Sequence, residues 1–160
     1  VSLENYWLLK SEPSTYAWKD LERQENQSDL WDGIRNYQAR NLIKTMKTGE
    51  FAFFYHSSTK EPEITGIVEI IKEAYPDPSQ FDPESKYFFA KSSREKPIWF
   101  SVDVRIKEKL KKTIKLKVLR KIAQDGDLVI GSLDLLKKGN RLSVQKLSKI
   151  QWKTILQLAK

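Results

Sequence analysis

The apolar residues of this 160-residue chain arrive in short runs at irregular intervals. None comes near the roughly 20 residues that a membrane-spanning helix needs. A chain patterned this way must assemble its core from many short elements. Tyr6 to Lys10 reads as a buried strand, stopped by Ser11-Glu12-Pro13. Trp18 to Gln24 reads as a short helix and Leu30 to Gly33 as a loop. Asn36 can cap a helix over Tyr37 to Lys47, with Ala39, Leu42, Ile43 and Met46 on its core side and Gly49 beyond its end.

Further along, Glu50 to His56 and Ile64 to Tyr75 read as strands. Pro76 to Pro97 is a polar stretch, long for a plain connection, and long loops are often functional. Ile98 to Leu110 alternates like a strand, and Leu116 to Gln124 suits a short helix. Leu128 to Leu136 fits helical turns or a strand. Arg141 to Lys146 reads as a strand. Ser148-Lys149-Ile150-Gln151 is a capping box that opens a final helix with Ile150, Ile155, Leu156 and Ala159 on one stripe.

Irregular spacing of strands and short helices disfavours doubly wound βαβ repeats. The expectation is a mixed α/β (α+β) fold: a small barrel of mostly antiparallel strands with helices packed around it. The length suits a single domain over residues 1–160. The first ten residues, which include Glu4, hold too short an apolar stretch for a signal peptide.

Composition narrows the chemistry. There is no cysteine, which removes disulfides and thiolate metal sites, and the single histidine, His56, removes a His-rich metal site. A carboxylate site stays open, but nothing in the chain calls for a metal or other cofactor. No G-x-G-x-x-G, phosphate-binding P-loop or G-x-S-x-G occurs. With one histidine, most imidazole acid–base schemes lack a second player. Five Trp, six Tyr and seven Phe, by contrast, demand burial or a stacking role.

Charge is split along the chain. Residues 1–103 carry 13 Lys and Arg against 17 Asp and Glu, a net of −4, while residues 104–160 carry 16 against 4, a net of +12. Such a basic segment attracts polyanions, chiefly nucleic acid phosphates, although lysine also serves plain solubility.

Polar and aromatic residues crowd the ends of the apolar runs, where a barrel mouth presents its site. Tyr6-Trp7-Leu8-Leu9-Lys10-Ser11-Glu12-Pro13, Trp31-Asp32-Gly33-Ile34-Arg35-Asn36-Tyr37-Gln38-Ala39-Arg40-Asn41 and Phe53-Phe54-Tyr55-His56-Ser57 lead this series. Lys72 to Asp77, Trp99 to Val104 and Arg141 to Gln145 continue it. Together, and in this order, these segments closely resemble the EVE-domain family. Two departures stand out: Glu63 where the family usually has Gly, and Tyr87-Phe88-Phe89-Ala90 in place of a segment that usually carries Tyr-Asp-Pro.

The resemblance implies a PUA-like pseudobarrel that recognises a modified nucleobase, such as a methylated one, in DNA or RNA without catalysis. The pocket it implies uses Ser11, Trp31, Asn36, Tyr37, Tyr55, His56 and Ser57, with Trp99 and Asp103 as further candidates. Arg35, Arg40, Lys107, Lys109, Lys111 and Lys112 are candidates for phosphate contacts.

Each residue also has an ordinary role to weigh. Trp31, Tyr37 and His56 can be structural, Asn36 a helix cap, and Ser11 a strand terminator. Glu12 can pair with Lys10 or Arg35. Trp7, Trp18 and Trp152 read as packing. Two other functions stay open. One is a ribonuclease of the ASCH kind using Lys10, Tyr55 or His56; the other is a protein-interaction module. The expected partner is nucleic acid and no membrane, for a monomer in a bacterial cytoplasm, or in a nucleus if the source is eukaryotic.

Overall fold

A computed structural model describes residues 5–160; Glu4 and the start of the first segment lie outside the described residues. Six strands form one sheet in the order β2-β5-β4-β3-β1-β6. They are β1 (Tyr6–Ser11), β2 (Ser28–Trp31), β3 (Phe51–His56), β4 (Glu63–Pro76), β5 (Phe100–Lys115) and β6 (Val144–Leu147). Among the described residues only the β1–β3 pairing is parallel; β1–β6, β2–β5, β3–β4 and β4–β5 are antiparallel. The expected α+β class and pseudobarrel are therefore what the chain adopts.

The long β4–β5 pair explains the curl. Its register shifts four times, between Ile64/Gly66, Ile67/Val68, Ile70/Lys72 and Lys72/Tyr75. Each extra residue bends the strand and adds right-handed twist. The sheet wraps, and its edge strands β2 and β6 belong to opposite ends of the strand order.

Both faces of the sheet are covered. Alternation along β1 and β3 sends Trp7, Leu9, Ala52 and Phe54 into one core, with Trp18, Leu21, Ala39, Ile43 and Met46 from the helical side. Leu8, Phe53 and Tyr55 point into a second core with Leu119, Ile130, Trp152 and Ile155. The first core is capped by α1 (Trp18–Glu22) and α2 (Tyr37–Ile43). The second is capped by α3 (Leu116–Gln124), α4 (Leu128–Gly131) and α5 (Lys149–Leu158).

Two helix starts follow directly from their sequences. Asn36 Oδ1 accepts the Ala39 N–H at 2.9 Å, and Ser148 and Gln151 exchange reciprocal bonds of 3.1 and 2.8 Å. Each such cap is worth about 1 kcal/mol.

Several boundaries differ from the sequence reading. Ser28–Trp31 is a strand where Leu30 was read as loop, because its pairing comes entirely from the distant β5. β5 runs on to Lys115 through the lysine-rich segment, since β4 supplies a ladder that Glu63↔Lys115 closes. α2 ends at Ile43 instead of Lys47, and the last strand begins at Val144 instead of Arg141. Ile150 is exposed, and Trp152 takes the buried position on α5 beside Ile155. No helix among the described residues is long and apolar enough to cross a membrane.

Candidate functional site

The C-terminal ends of β1 and β2 meet beside Ser143 and the loop carrying Tyr87, enclosing a cavity of about 620 Å³. β1 contributes Lys10 and Ser11, followed by Glu12. β2 contributes Asp29, Leu30 and Trp31, followed by Asp32, Gly33 and Ile34. Thr15 and Tyr16 come from the segment that links β1 to α1.

Trp31 is 7% exposed, its ring edge-on to Phe54 with centroids 5.4 Å apart. That contact holds the indole in one orientation. The Gly33 and Tyr87 part of the lining is held by a clamp centred on Asp77, which is fully buried. Arg35 Nη1 reaches Asp77 Oδ2 at 3.0 Å, and the Gly33 N–H donates to the same oxygen at 2.9 Å. Arg35 Nη2 donates to the Tyr87 carbonyl at 2.6 Å, and Nε to the same oxygen at 3.0 Å. Charge-assisted bonds of this kind are the strong ones.

Hydroxyls and charges around the cavity are ordered in turn. Ser11 Oγ donates to the Tyr16 carbonyl at 2.5 Å. The Tyr16 hydroxyl donates to Asp29 Oδ2 at 2.6 Å, and burial together with that carboxylate raises the phenol's pKa. Lys10 is half-buried, and the loss of water around it lowers its pKa. Asp32 keeps access to solvent, yet partial loss of water around its carboxyl, then the charges of Asp77 and Asp29, raise its pKa.

Of the nine expected pocket residues, Ser11 and Trp31 line this cavity. The others are placed elsewhere, for identifiable reasons. Asn36 spends its carboxamide oxygen on the α2 cap. Tyr37 is 56% exposed and leans on Trp99 with centroids 4.9 Å apart.

Tyr55 follows Phe54 on β3, so alternation sends it to the opposite face, where burial pushes its phenol up to about 12. His56 accepts the Trp18 N–H on Nε2 at 3.1 Å, and burial lowers its pKa. Ser57 ties its N–H to the Ser11 carbonyl at 3.0 Å. Trp99 is buried among Tyr37, Phe89 and Arg35. Asp103 accepts the Tyr75 hydroxyl at 2.5 Å.

The candidate phosphate contacts divide in the same way. Arg35 is committed to Asp77, Ser79 and Tyr87 inside the fold. Arg40 bonds Asn41 and the Ile98 carbonyl and lies over the Tyr37 ring. Lys107, Lys109, Lys111 and Lys112 are exposed on β5, outside the cavity.

The sequence reading passed over Tyr16, Asp32, Tyr87 and Ser143 as site residues. Asp32 was within reach, since it follows Trp31 directly. Tyr87 sat in the long polar stretch already marked as unusual. Nothing local singles out Tyr16 or Ser143, which arrive only through the fold.

The EVE domain profile matches residues 5–158. Human thymocyte nuclear protein 1 is 39% identical over 168 residues, covering 98% of this chain and 75% of that protein. The solved structure of human THYN1 in complex with 5-methylcytosine containing DNA superposes with a TM-score of 0.93 at 38% identity, covering 98% of both chains. A protein from Pseudomonas syringae superposes at 0.89 and 43% identity over 97% of this chain and 99% of its own. The YTH domain of the Zygosaccharomyces rouxii MRB1 protein, solved with N6-methyladenosine RNA, shares the fold at a TM-score of 0.52. It is 13% identical and covers 100% of this chain and 91% of that one.

Proposed function

The chain belongs to the EVE-domain family, and from that premise we propose that the Trp31 cavity receives a methylated nucleobase turned out of its nucleic acid strand. The observation that carries the reading is the cavity itself. It has a buried indole on one side, ordered polar groups around it, and a volume of about 620 Å³. Small-molecule sites commonly occupy roughly 300–1,000 Å³. The relative solved with 5-methylcytosine containing DNA supports it.

Turning a base out of its stack costs a few kcal/mol. Stacking on an aromatic face returns about 1–3 kcal/mol, and a methyl group adds apolar contact inside the cavity. Lys107, Lys109, Lys111 and Lys112 would meet the phosphate backbone and supply the sequence-independent part of the affinity.

Binding without cleavage is the reading we propose. The acid–base set considered for a ribonuclease is not assembled: Lys10 lines the cavity, Tyr55 faces the other core, and His56 is spent on Trp18. The test is titration of single-stranded oligonucleotides that carry cytosine or 5-methylcytosine at one position, with the products run on a gel. Tighter binding of the methylated strand, lost in folded Trp31→Leu and without cleavage, is the expected result. Equal binding of both strands, or cleavage, overturns the reading.

A further inference from the structure

The polar groups of the cavity divide unevenly once their internal hydrogen bonds are subtracted. Ser11 Oγ gives its proton to the Tyr16 carbonyl, so it offers a ligand only lone pairs. The Tyr16 hydroxyl gives its proton to Asp29 and is likewise left as an acceptor. Asp29 is occupied by that hydroxyl and by the Leu30 N–H. Asp32 and Glu12 are different. Both line the cavity, and among the described residues neither carboxylate accepts a hydrogen bond from another residue. The free acceptors therefore gather beside Trp31, with Asp32 directly after it in the chain.

The donor side is Lys10. It lies half-buried in the same wall, and no carboxylate offsets the loss of its water. Lys86 is drawn toward Thr15 and the Tyr87 ring instead.

A pyrimidine can match this arrangement in one way and mismatch it in another. 5-Methylcytosine presents an exocyclic amino group, which is a donor, and a ring carbonyl oxygen, which is an acceptor. Thymine has the same methyl and the same O2, but carries a carbonyl oxygen where cytosine has the amino group and an N3–H where cytosine has a lone pair. Resting on the base-binding reading above, we propose that Asp32 accepts the exocyclic amino group of a cytosine-type base, with Ser11 Oγ beside it. Lys10 donates to the O2 carbonyl. The cavity selects 5-methylcytosine against thymine because thymine's O4 meets the Asp32 carboxylate lone pair to lone pair. The neighbouring charges of Asp77 and Asp29 favour the amino group further.

The experiment compares two single strands identical except for 5-methylcytosine or thymine at one position. Single strands remove the influence of an opposing base. Losing the bond to the amino group and setting a carbonyl oxygen against the Asp32 carboxylate should make the parent protein favour 5-methylcytosine by at least about tenfold. Asp32→Asn replaces an obligate acceptor with an amide that can turn either way, and should bring the two affinities within about threefold. Lys10→Met should weaken both strands by the same factor and keep the ratio, because O2 is common to both bases.

Equal affinity of the parent for the two strands overturns this inference while leaving the base-binding reading standing. An unchanged ratio in Asp32→Asn, with near-ultraviolet circular dichroism like the parent's, removes Asp32 from the role. Failure of the parent to bind either strand sinks the base-binding reading and this inference with it.

Discussion

Gly33 lies against the ring of Tyr87 so closely that a Cβ at position 33 would sit 2.5 Å from Tyr87 Cζ. Gly33 also holds φ at +79°, in the left-handed region that side chains rarely adopt. The two residues form one corner of the cavity, and the Asp77 clamp ties both to the fold. Gly33→Ala must therefore strain the backbone and push the Tyr87 ring aside. The expected loss is about 1–3 kcal/mol of stability, together with weaker binding of a methylated oligonucleotide. Thermal denaturation and titration on the same sample check both.

Trp31 and Tyr37 were both expected in the pocket, and the structure separates them. Trp31→Leu should cost about 1–3 kcal/mol of binding to the methylated strand through lost stacking. Some stability is lost too, since the indole packs on Phe54. Tyr37→Ala, at an exposed position outside the cavity, should leave that affinity within about twofold of the parent, as surface changes away from a binding site usually do. A larger effect of Tyr37 than of Trp31 would place the base on α2 instead.

Asp32 makes a stability prediction with a definite sign. Burial and the neighbouring carboxylates hold its folded pKa above the ordinary 3.8. The unfolded chain releases this proton at lower pH, so the group loses stability as pH rises from 3.8 towards the folded value, and the deficit persists above it. Asp32→Asn should melt higher than the parent at neutral pH. The gain should stay below about 4 °C, roughly what 1 kcal/mol produces at this chain length for a solvent-accessible group. The two curves should converge below pH 3.8.

His56 has the opposite sign. Its folded pKa lies below the ordinary 6.5 because of burial, and Nε2 is held as an acceptor by the Trp18 N–H. Below pH 6.5 the unfolded chain takes up a proton that the folded one resists, so stability falls as pH drops through that value. His56→Gln keeps an acceptor for Trp18 and should flatten this dependence, with oligonucleotide affinity unchanged at neutral pH. Melting curves from pH 5 to 8 measure it.

Salt dependence separates the cations. Each lysine that meets a phosphate contributes about 0.7–0.9 to the log–log slope of affinity against salt. Replacing Lys107, Lys109, Lys111 and Lys112 together with Gln should lower the slope by up to about 3 units. Arg35→Lys should leave the slope unchanged and lower the melting temperature, because Lys cannot reproduce the forked bonds to Asp77, Ser79 and the Tyr87 carbonyl.

The sequence by itself determined the elements whose physics is local. The short apolar run Tyr6 to Lys10 and the strand Glu50 to His56, the caps at Asn36 and Ser148, and the packing of Trp7, Trp18 and Trp152 could all be read along the chain. So could the family, because its motifs occur in order across nearly the whole length.

The make-up of the site was decided only by tertiary structure. Trp31 becomes a strand residue because β5 pairs with it from Val102, and Tyr55 leaves the site because a one-residue step on a strand reverses its face. Lys10, Tyr16, Asp32, Tyr87 and Ser143 share one cavity because four register shifts curl a sheet whose edge strands would otherwise stand apart. Bulges and registers depend on which strand lies alongside, and that information is carried by pairs of distant segments rather than by any one of them.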